Sequence, residues 1–327
     1  MSTPLNTAPR SQGATPPARC LVTGAAGFLG RELSRQFAAG GYRVFGVGRR
    51  RPTDPVPGVE QFETLDLNQL PIRTLLERWS PTVCVHAAGM GGTPDDPCSG
   101  ASRESTDLPA WTNVLEGVAR AAPRCRLILL SSAAVYGEPT RNPVSEQDGI
   151  APLSAYGRRK QACEVAGLRF ADRHGLDVRI ARVFNAYGPG QRRQLLWDLC
   201  QQASRASDGT VELFGDGSEE RDFVHVQDVA DAVWRIAGVA DDDRRFWNVG
   251  SGQAWSVRQV AEHVNRRWPS ALTLRFTGQS RARETSRIYA DVSCLHRLGY
   301  DPRWTLPAGL DQYVDWFLAQ QSIAVSP

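Results

Sequence analysis

Short apolar runs alternate with longer amphipathic stretches from the N-terminal side of the chain to Arg182. The short runs are Cys20-Leu21-Val22, Tyr42–Val47, Phe62–Leu67, Thr82–Gly89, Arg126–Leu130 and Asp177–Arg182. Runs of that length with little polar alternation suit strands of a parallel sheet covered on both faces. Helical periodicity predicts helices over Glu32–Ala39, Leu70–Trp79, Thr106–Ala121 and Tyr156–His174. Strands alternating with helices predict an α/β fold, a doubly wound parallel sheet with right-handed connections. Ligands of such sheets lie at the carboxyl ends of the strands. Beyond Gly190 the pattern changes to helix Gln191–Arg205, strand Val211–Phe214, helix Ser256–Arg267, strand Leu272–Phe276 and helix Leu306–Phe317. That is a smaller α/β lobe for substrate, while Asp222–Ala237 returns the chain to the first lobe. The expected division is a disordered tail over 1–18, rich in Pro, Ser, Thr and Ala, and a dinucleotide-binding domain over 19–183, rejoined by about 221–250. The substrate-binding lobe then takes 184–220 and 251–327.

The first strand, turn and helix carry the spacing Gly24-x-x-Gly27-x-x-Gly30. Gly24 would make the turn, Gly27 would admit a pyrophosphate against the backbone, and Gly30 would let helix and strand approach closely. The amphipathic segment that starts at Arg31 would offer unpaired N–H groups and the positive end of a helix dipole to a phosphate. A glycine triplet also serves in plain structural turns, so the residues downstream of it decide the case. The second strand ends in Gly48-Arg49-Arg50-Arg51. An acid at that end would bond the adenosine ribose of NAD. Glycine with Arg49 and Arg50 after it predicts NADP(H), with NAD(H) as the other possibility; the bland alternative is a solvated basic loop.

Two further pieces carry chemistry: Ser132, just past the fifth strand, and Tyr156-Gly-Arg-Arg-Lys160, opening the next helix. Tyr and Lys at i and i+4 share a helix face. An ammonium beside a phenol favours phenolate, so the tyrosine can exchange a proton. A serine hydroxyl could bond the same substrate oxygen. The trio suits hydride transfer at a carbon bearing oxygen, although a Tyr-x-x-x-Lys pair alone is as much a helix-surface pair. The basic residues are arginines with Lys160 as the exception, and arginine does not replace lysine where a proton affinity must be tuned.

Composition narrows the class. The 327 residues are 41% hydrophobic and 22% charged, enough for a full core, and a net charge of +3 argues against nucleic-acid or membrane partners. The seven cysteines are scattered singly and the five histidines lack metal spacing, which predicts a reduced, metal-free, cytoplasmic protein. There is no 18-residue apolar span, so no transmembrane helix is expected.

Taken in order, the motifs are TGAAGFLG, His86-Ala-Ala-Gly89, SSAAVYG, Pro152-Leu-Ser-Ala-Tyr156-x-x-x-Lys160 and Arg182-Val-Phe-Asn185-Ala-Tyr-Gly-Pro-Gly190. Phe214-Gly-Asp-Gly-Ser-x-x-Arg221-Asp222-Phe-Val-His225, Trp247-Asn-Val-Gly-Ser-Gly252 and Arg281…Ala290-Asp291 come after them. Over about 19–318 the chain resembles the extended short-chain dehydrogenase/reductase family, in its nucleotide-sugar epimerase/dehydratase/reductase branch. The resemblance implies a Rossmann domain, a catalytic triad of Ser132, Tyr156 and Lys160, and cofactor contacts from Gly24, Gly27, Phe28, Leu29 and Gly30. It sets Asp66 and Leu67 by the adenine, Ala87, Ala88 and Gly89 along the cofactor, and Asn185, Arg221 and Arg281 on the substrate's diphosphate. Trp197 and Phe214 lie near the usual nucleobase pocket, though such aromatics are more often core. It further implies a nucleotide-diphosphate sugar substrate and a homodimer.

The departures redirect the expectation. Ala133-Ala134 replaces the Asp-Glu pair of the dehydratases and the Glu of the sugar-acid decarboxylases. Asp107 stands where the family has Asn, and Arg283 where it has Gly. The resulting expectation is an NADP-preferring sugar-nucleotide oxidoreductase that reduces the 4-keto group of an NDP-4-keto-6-deoxyhexose. The alternative is an NAD(P)-dependent 4-epimerase, which uses the same triad. A non-catalytic dinucleotide sensor is disfavoured because Tyr156 and Lys160 are both present.

Overall fold

The computed structural model describes residues 17–89, 107–240, 244–279 and 285–324. Its first half alternates as the apolar pattern requires: β1 (Arg19–Thr23), α1 (Phe28–Ala39), β2 (Arg43–Gly48), β3 (Val59–Thr64), α2 (Arg73–Trp79), β4 (Val83–His86), α3 (Asp107–Ala121), β5 (Arg126–Ser132), α4 (Ala155–His174) and β6 (Val178–Val183). Then come β7 (Asn185–Tyr187), α5 (Gln194–Arg205), β8 (Thr210–Leu213), β9 (Glu220–Arg221), β10 (Phe223–His225), α6 (Val226–Gly238) and β11 (Phe246–Val249). The chain closes with β12 (Trp255–Ser256), α7 (Val257–Arg267), β13 (Thr273–Phe276), β14 (Arg287–Ile288), α8 (Ser293–His296) and α9 (Leu306–Ala324).

Seven strands form one parallel sheet in the order β11-β6-β5-β4-β1-β2-β3. Strand order reverses between β1 and β4, which opens a crevice at their carboxyl ends. On one face Leu33 and Phe37 of α1 pack with Val229, Val233 and Ile236 of α6. On the other, Leu76 of α2, Trp111 and Leu115 of α3 and Cys163 of α4 pack on Leu127 and Leu129. Helices thus cover both faces, the condition that makes the inner strands apolar throughout. A second core gathers Leu199 of α5, Leu213 of β8, Val264 of α7 and Phe317 of α9, with β8 and β13 paired in parallel.

Several predicted elements shift; α1, for one, begins at Phe28, four residues before the predicted Glu32. The third strand runs over Val59–Thr64, not Phe62–Leu67, so Asp66 lies in the loop beyond it. β3 is the edge of the sheet and half exposed, so apolar content does not mark its ends. Asp66 instead turns the chain, its Oδ1 accepting the Asn68 N–H at 3.0 Å. The second helix begins at Arg73, not Leu70. Asn113 on α3 donates to Leu67 O and Leu70 O, each at 2.7 Å, and accepts from Ile72 N at 3.2 Å. Those bonds, and Pro71 after Leu70, hold the segment out of helix. α5 likewise starts at Gln194, three residues after the predicted Gln191.

Candidate active site

Gly24 is in the left-handed region at φ +69°, and a methyl group on it would lie 2.8 Å from Ala87 C and O and Ala88 N. A methyl on Gly30 would lie 2.1 Å from Gly24 O. Glycine is therefore required at both positions: one lets the turn touch the end of β4, the other lets α1 start directly on the turn. No side chain caps α1, whose N-cap is Gly27, so the N–H groups of its first turn face the crevice without a side-chain acceptor. That donor set fits the diphosphate of a dinucleotide.

The neighbouring turn is anchored by a pair to which the sequence alone assigns no role. Thr23 Oγ1 lies 2.9 Å from His86 Nδ1 and accepts the Ala88 N–H at 3.3 Å. Burial first, and the nearby Lys160 charge second, push the His86 imidazole down to about 3, so it is neutral and shares a hydrogen bond with the Thr23 hydroxyl through Nδ1. This bond fixes Ala87, Ala88 and Gly89 against Gly24. His86 opens the His86-Ala-Ala-Gly89 motif at a strand end, but nothing in the sequence pairs it with Thr23.

Ser132 ends β5 and accepts the Ala134 N–H at 3.2 Å. Ser154 caps α4 by accepting the Gly157 N–H at 3.0 Å, which sets Tyr156 in the first turn and Lys160 one turn on. Lys160 is buried, donates to Leu130 O at 3.3 Å, and stands 5.8 Å from the Tyr156 ring centroid. Its Nζ is 3.7 Å from Asp107 Oδ2. Burial works to lower the Lys160 pKa, but Tyr156 and Asp107 outweigh it and hold the ammonium above its ordinary value. The triad is thus gathered where β5 and α4 meet, beside Gly89: a methyl there would lie 3.2 Å from Lys160 Nζ.

Behind the triad Arg182 of β6 binds Glu164 of α4 at 2.8 Å, and Glu164 accepts the Ser131 hydroxyl at 2.5 Å. Arg182 also donates to the Tyr136 hydroxyl, which bonds Asn248 at 2.6 Å. Tyr156, Lys160 and Glu164 recur every four residues on one face of α4, a spacing visible in the sequence although nothing there marks Glu164 as part of the site.

Elsewhere the outcome is mixed. Gly48 faces the Phe62 ring: a methyl on it would lie 2.9 Å from Phe62 Cζ. Arg49 and Arg50 are exposed, with no ion pair or hydrogen bond among the described residues. Leu67 is buried beside the loop that holds Asp66. Asn185 and Arg221 come together through Asp222: Asn185 N donates to Asp222 O at 3.0 Å, and Arg221 precedes it on β9. The Asp222 carboxylate, raised by burial, accepts from Ser251 N and Oγ, Gly252 N and Ala290 N. In the sequence it is one letter of a motif, yet it ties both motifs to the β14 segment. Trp197 packs on Phe317 and Trp316 in the second core, whereas Phe214 is 55% exposed and not core. Arg281, Arg283, Cys98 and the first 16 residues lie outside the described residues. Among the described residues six cysteines are free thiols and no three potential ligands cluster for a metal. No helix there is long and apolar enough to cross a membrane.

The model of the NAD dependent epimerase/dehydratase family matches residues 20–250, from the glycine turn through β11. The chain belongs to this family. As a member it is an NAD(P)-dependent enzyme. It is 32% identical to a UDP-glucose 4-epimerase of Mycolicibacterium smegmatis, over 74% of this chain and 80% of the relative. A dTDP-6-deoxy-L-talose 4-dehydrogenase (NAD(P)+) of Kitasatospora kifunensis is 31% identical over 89% of this chain and 93% of the relative. Among solved structures, MoeE5 in complex with UDP-glucuronic acid and NAD superposes with a TM-score of 0.81 at 31% identity, covering 93% of this chain and 100% of that one. The family fold is therefore shared along almost the whole length, and the glycine turn and triad described above lie within the matched residues.

Proposed function

We propose that this family member is an NADP-preferring reductase of a nucleotide-diphosphate sugar, acting on the 4-keto group of an NDP-4-keto-6-deoxyhexose. A bound nicotinamide supplies the hydride. The glycine turn and the first turn of α1 hold the diphosphate, with Asp66 and Leu67 by the adenine and Ala87–Gly89 along the cofactor. Ser132 donates a hydrogen bond to the carbonyl oxygen, and Tyr156 delivers the proton as charge builds there. Lys160 steadies negative charge on the phenolic oxygen while that proton leaves. Asn185, Arg221 and Arg281 bind the substrate diphosphate, for which a forked guanidinium is suited.

The observation that carries this reading is the end of β2. The Phe62 ring occupies the space an acidic side chain at position 48 would need, while Arg49 and Arg50 stand exposed beside it. Such an end favours a 2′-phosphate over free ribose hydroxyls, and a cofactor exchanged at every turnover suits net reduction. The Kitasatospora relative, a 4-dehydrogenase described with NAD(P)+, supports the same chemistry. Ala133 and Ala134 offer no carboxyl for elimination or decarboxylation. A second reading, a 4-epimerase that returns the hydride to the same sugar, is supported by the Mycolicibacterium relative.

A hydride balance separates the two. The protein is mixed with NADPH or NADH and a panel of NDP-4-keto-6-deoxysugars and NDP-hexoses, and reduced-cofactor absorbance is followed with product analysis. One NADPH consumed per keto sugar supports the reductase. An NDP-hexose inverted with no net cofactor change overturns it in favour of the epimerase.

A further inference from the structure

We propose that Asp107 is a positioning residue of the site: its buried carboxylate is the counter-ion that fixes Lys160 between the end of β5 and the turn at Gly89. Its role in hydride transfer rests on the function proposed above, but the ion pair does not. Asp107 is 3% exposed at its side chain and Lys160 10%, and they stand 3.7 Å apart although separated by 53 residues of chain. Asp107 opens α3, where a carboxylate also meets the favourable end of the helix dipole. Gly89 lets the two meet: a methyl there would lie 3.2 Å from Lys160 Nζ and 3.5 Å from each Asp107 carboxylate oxygen.

Among the described residues, the other groups facing Lys160 supply no fixed compensating charge at neutral pH. Leu130 on β5 offers a neutral carbonyl. His86 on β4 is an uncharged imidazole, and the Cys163 thiol on α4 is pushed up to about 11 by burial. Glu164, one turn further along α4, is bound by Arg182 and Ser131. Tyr156 carries a charge only when its proton has left. Asp107 is then the carboxylate at ion-pair distance, and an Asn here would keep the shape while removing the charge. A buried ammonium deprived of its counter-ion gives up its proton more readily.

Lys160 is the sole lysine of the chain, so protein grown on lysine labelled with carbon-13 at Cε gives one side-chain resonance to titrate. In the full-length protein its midpoint should lie above the ordinary lysine value of about 10.4. In Asp107→Asn it should fall by about one unit or more, a tenfold or greater loss of proton affinity. A midpoint below the ordinary value in the unaltered protein overturns the proposal, and so does an Asn variant within about 0.3 unit of it. Should Asp107→Asn fail to fold, Tyr156→Phe decides: with the phenol's contribution removed, a Lys160 midpoint still above the ordinary value supports the pair with Asp107, and one at or below it overturns the proposal. With a substrate in hand, Asp107→Asn should add an alkaline fall to kcat/KM that the unaltered enzyme lacks; equal profiles count against the positioning role. A protein with no turnover on any sugar would overturn the proposed function and leave the titration as the test of the pair.

Discussion

Gly157 brings its bare Cα against the carbonyl of Ala134: a methyl group at Gly157 would lie 2.3 Å from that oxygen. This contact joins the first turn of α4, which carries Tyr156, to the residues directly after Ser132. The two halves of the triad meet because position 157 has no side chain. Gly157→Ala is therefore expected to push α4 away from the end of β5. A displacement of this kind costs on the order of 100-fold in kcat. Turnover of the best sugar substrate, compared with the thermal midpoint, checks it: full activity with Ala at 157 would show the contact to be dispensable.

The end of β2 yields a cofactor-swap prediction. Gly48→Asp alone forces the new side chain into Phe62, whose Cζ would be 2.9 Å from its Cβ, and should lower stability without improving NADH binding. Combined with Phe62→Ala, the carboxylate gains room and should move the NADPH-to-NADH affinity ratio toward NADH by about tenfold, the worth of one charge-assisted hydrogen bond. Titration calorimetry with both cofactors reads the ratio, and an unchanged ratio in the double variant would refute the assignment.

Arg182 and Glu164 are both buried, 4% and 3% exposed at their side chains, and bonded at 2.8 Å. Removing one partner strands the other charge in the core. Glu164→Gln and Arg182→Met should each lower unfolding free energy by about 3–5 kcal/mol, and the double change Glu164→Leu/Arg182→Met should recover much of it. Denaturant unfolding of the three proteins tests this; additive losses would show that no ion pair is being broken.

The buried histidines set an acid limit. His86 and His225 are held neutral in the fold, with pKa values down to about 3 and about 4, both chiefly by burial. In the unfolded chain each titrates near the ordinary value of about 6.5. The unfolded state thus binds the extra protons below that pH. Their contribution to stability is complete above about 6.5 and is lost as the pH falls toward the folded values, at up to about 1.4 kcal/mol per unit for each histidine. His86→Gln should remove one such increment from the slope between pH 6 and 4, measured as denaturant midpoint against pH. A slope unaltered by the substitution would mean that the fold does not hold His86 neutral.

Local grammar made much of the site readable. A strand, a glycine turn and a helix start lie in consecutive residues, and Tyr156, Lys160 and Glu164 repeat at the helical period, so their common face comes directly from spacing. The alternation of apolar runs with helices likewise carried the parallel sheet, because burial on both faces leaves its mark on every inner strand. β3 escaped that logic at the sheet edge, where among the described residues one side of the strand pairs with no other strand.

What the chain alone determined is the order of its elements, the glycines that the turn demands and the chemical types of the triad. Those depend on backbone conformation and on neighbours within a turn or two. The tertiary structure decided which distant groups meet: Asn113 holding Leu67 and Leu70 out of helix, Phe62 filling the space before Gly48, His86 on Thr23, and Asp107 beside Lys160. Each of these joins residues from different elements. Only the packing of the sheet and its helices sets such distances, and with them the charge and hydrogen bonding at the site.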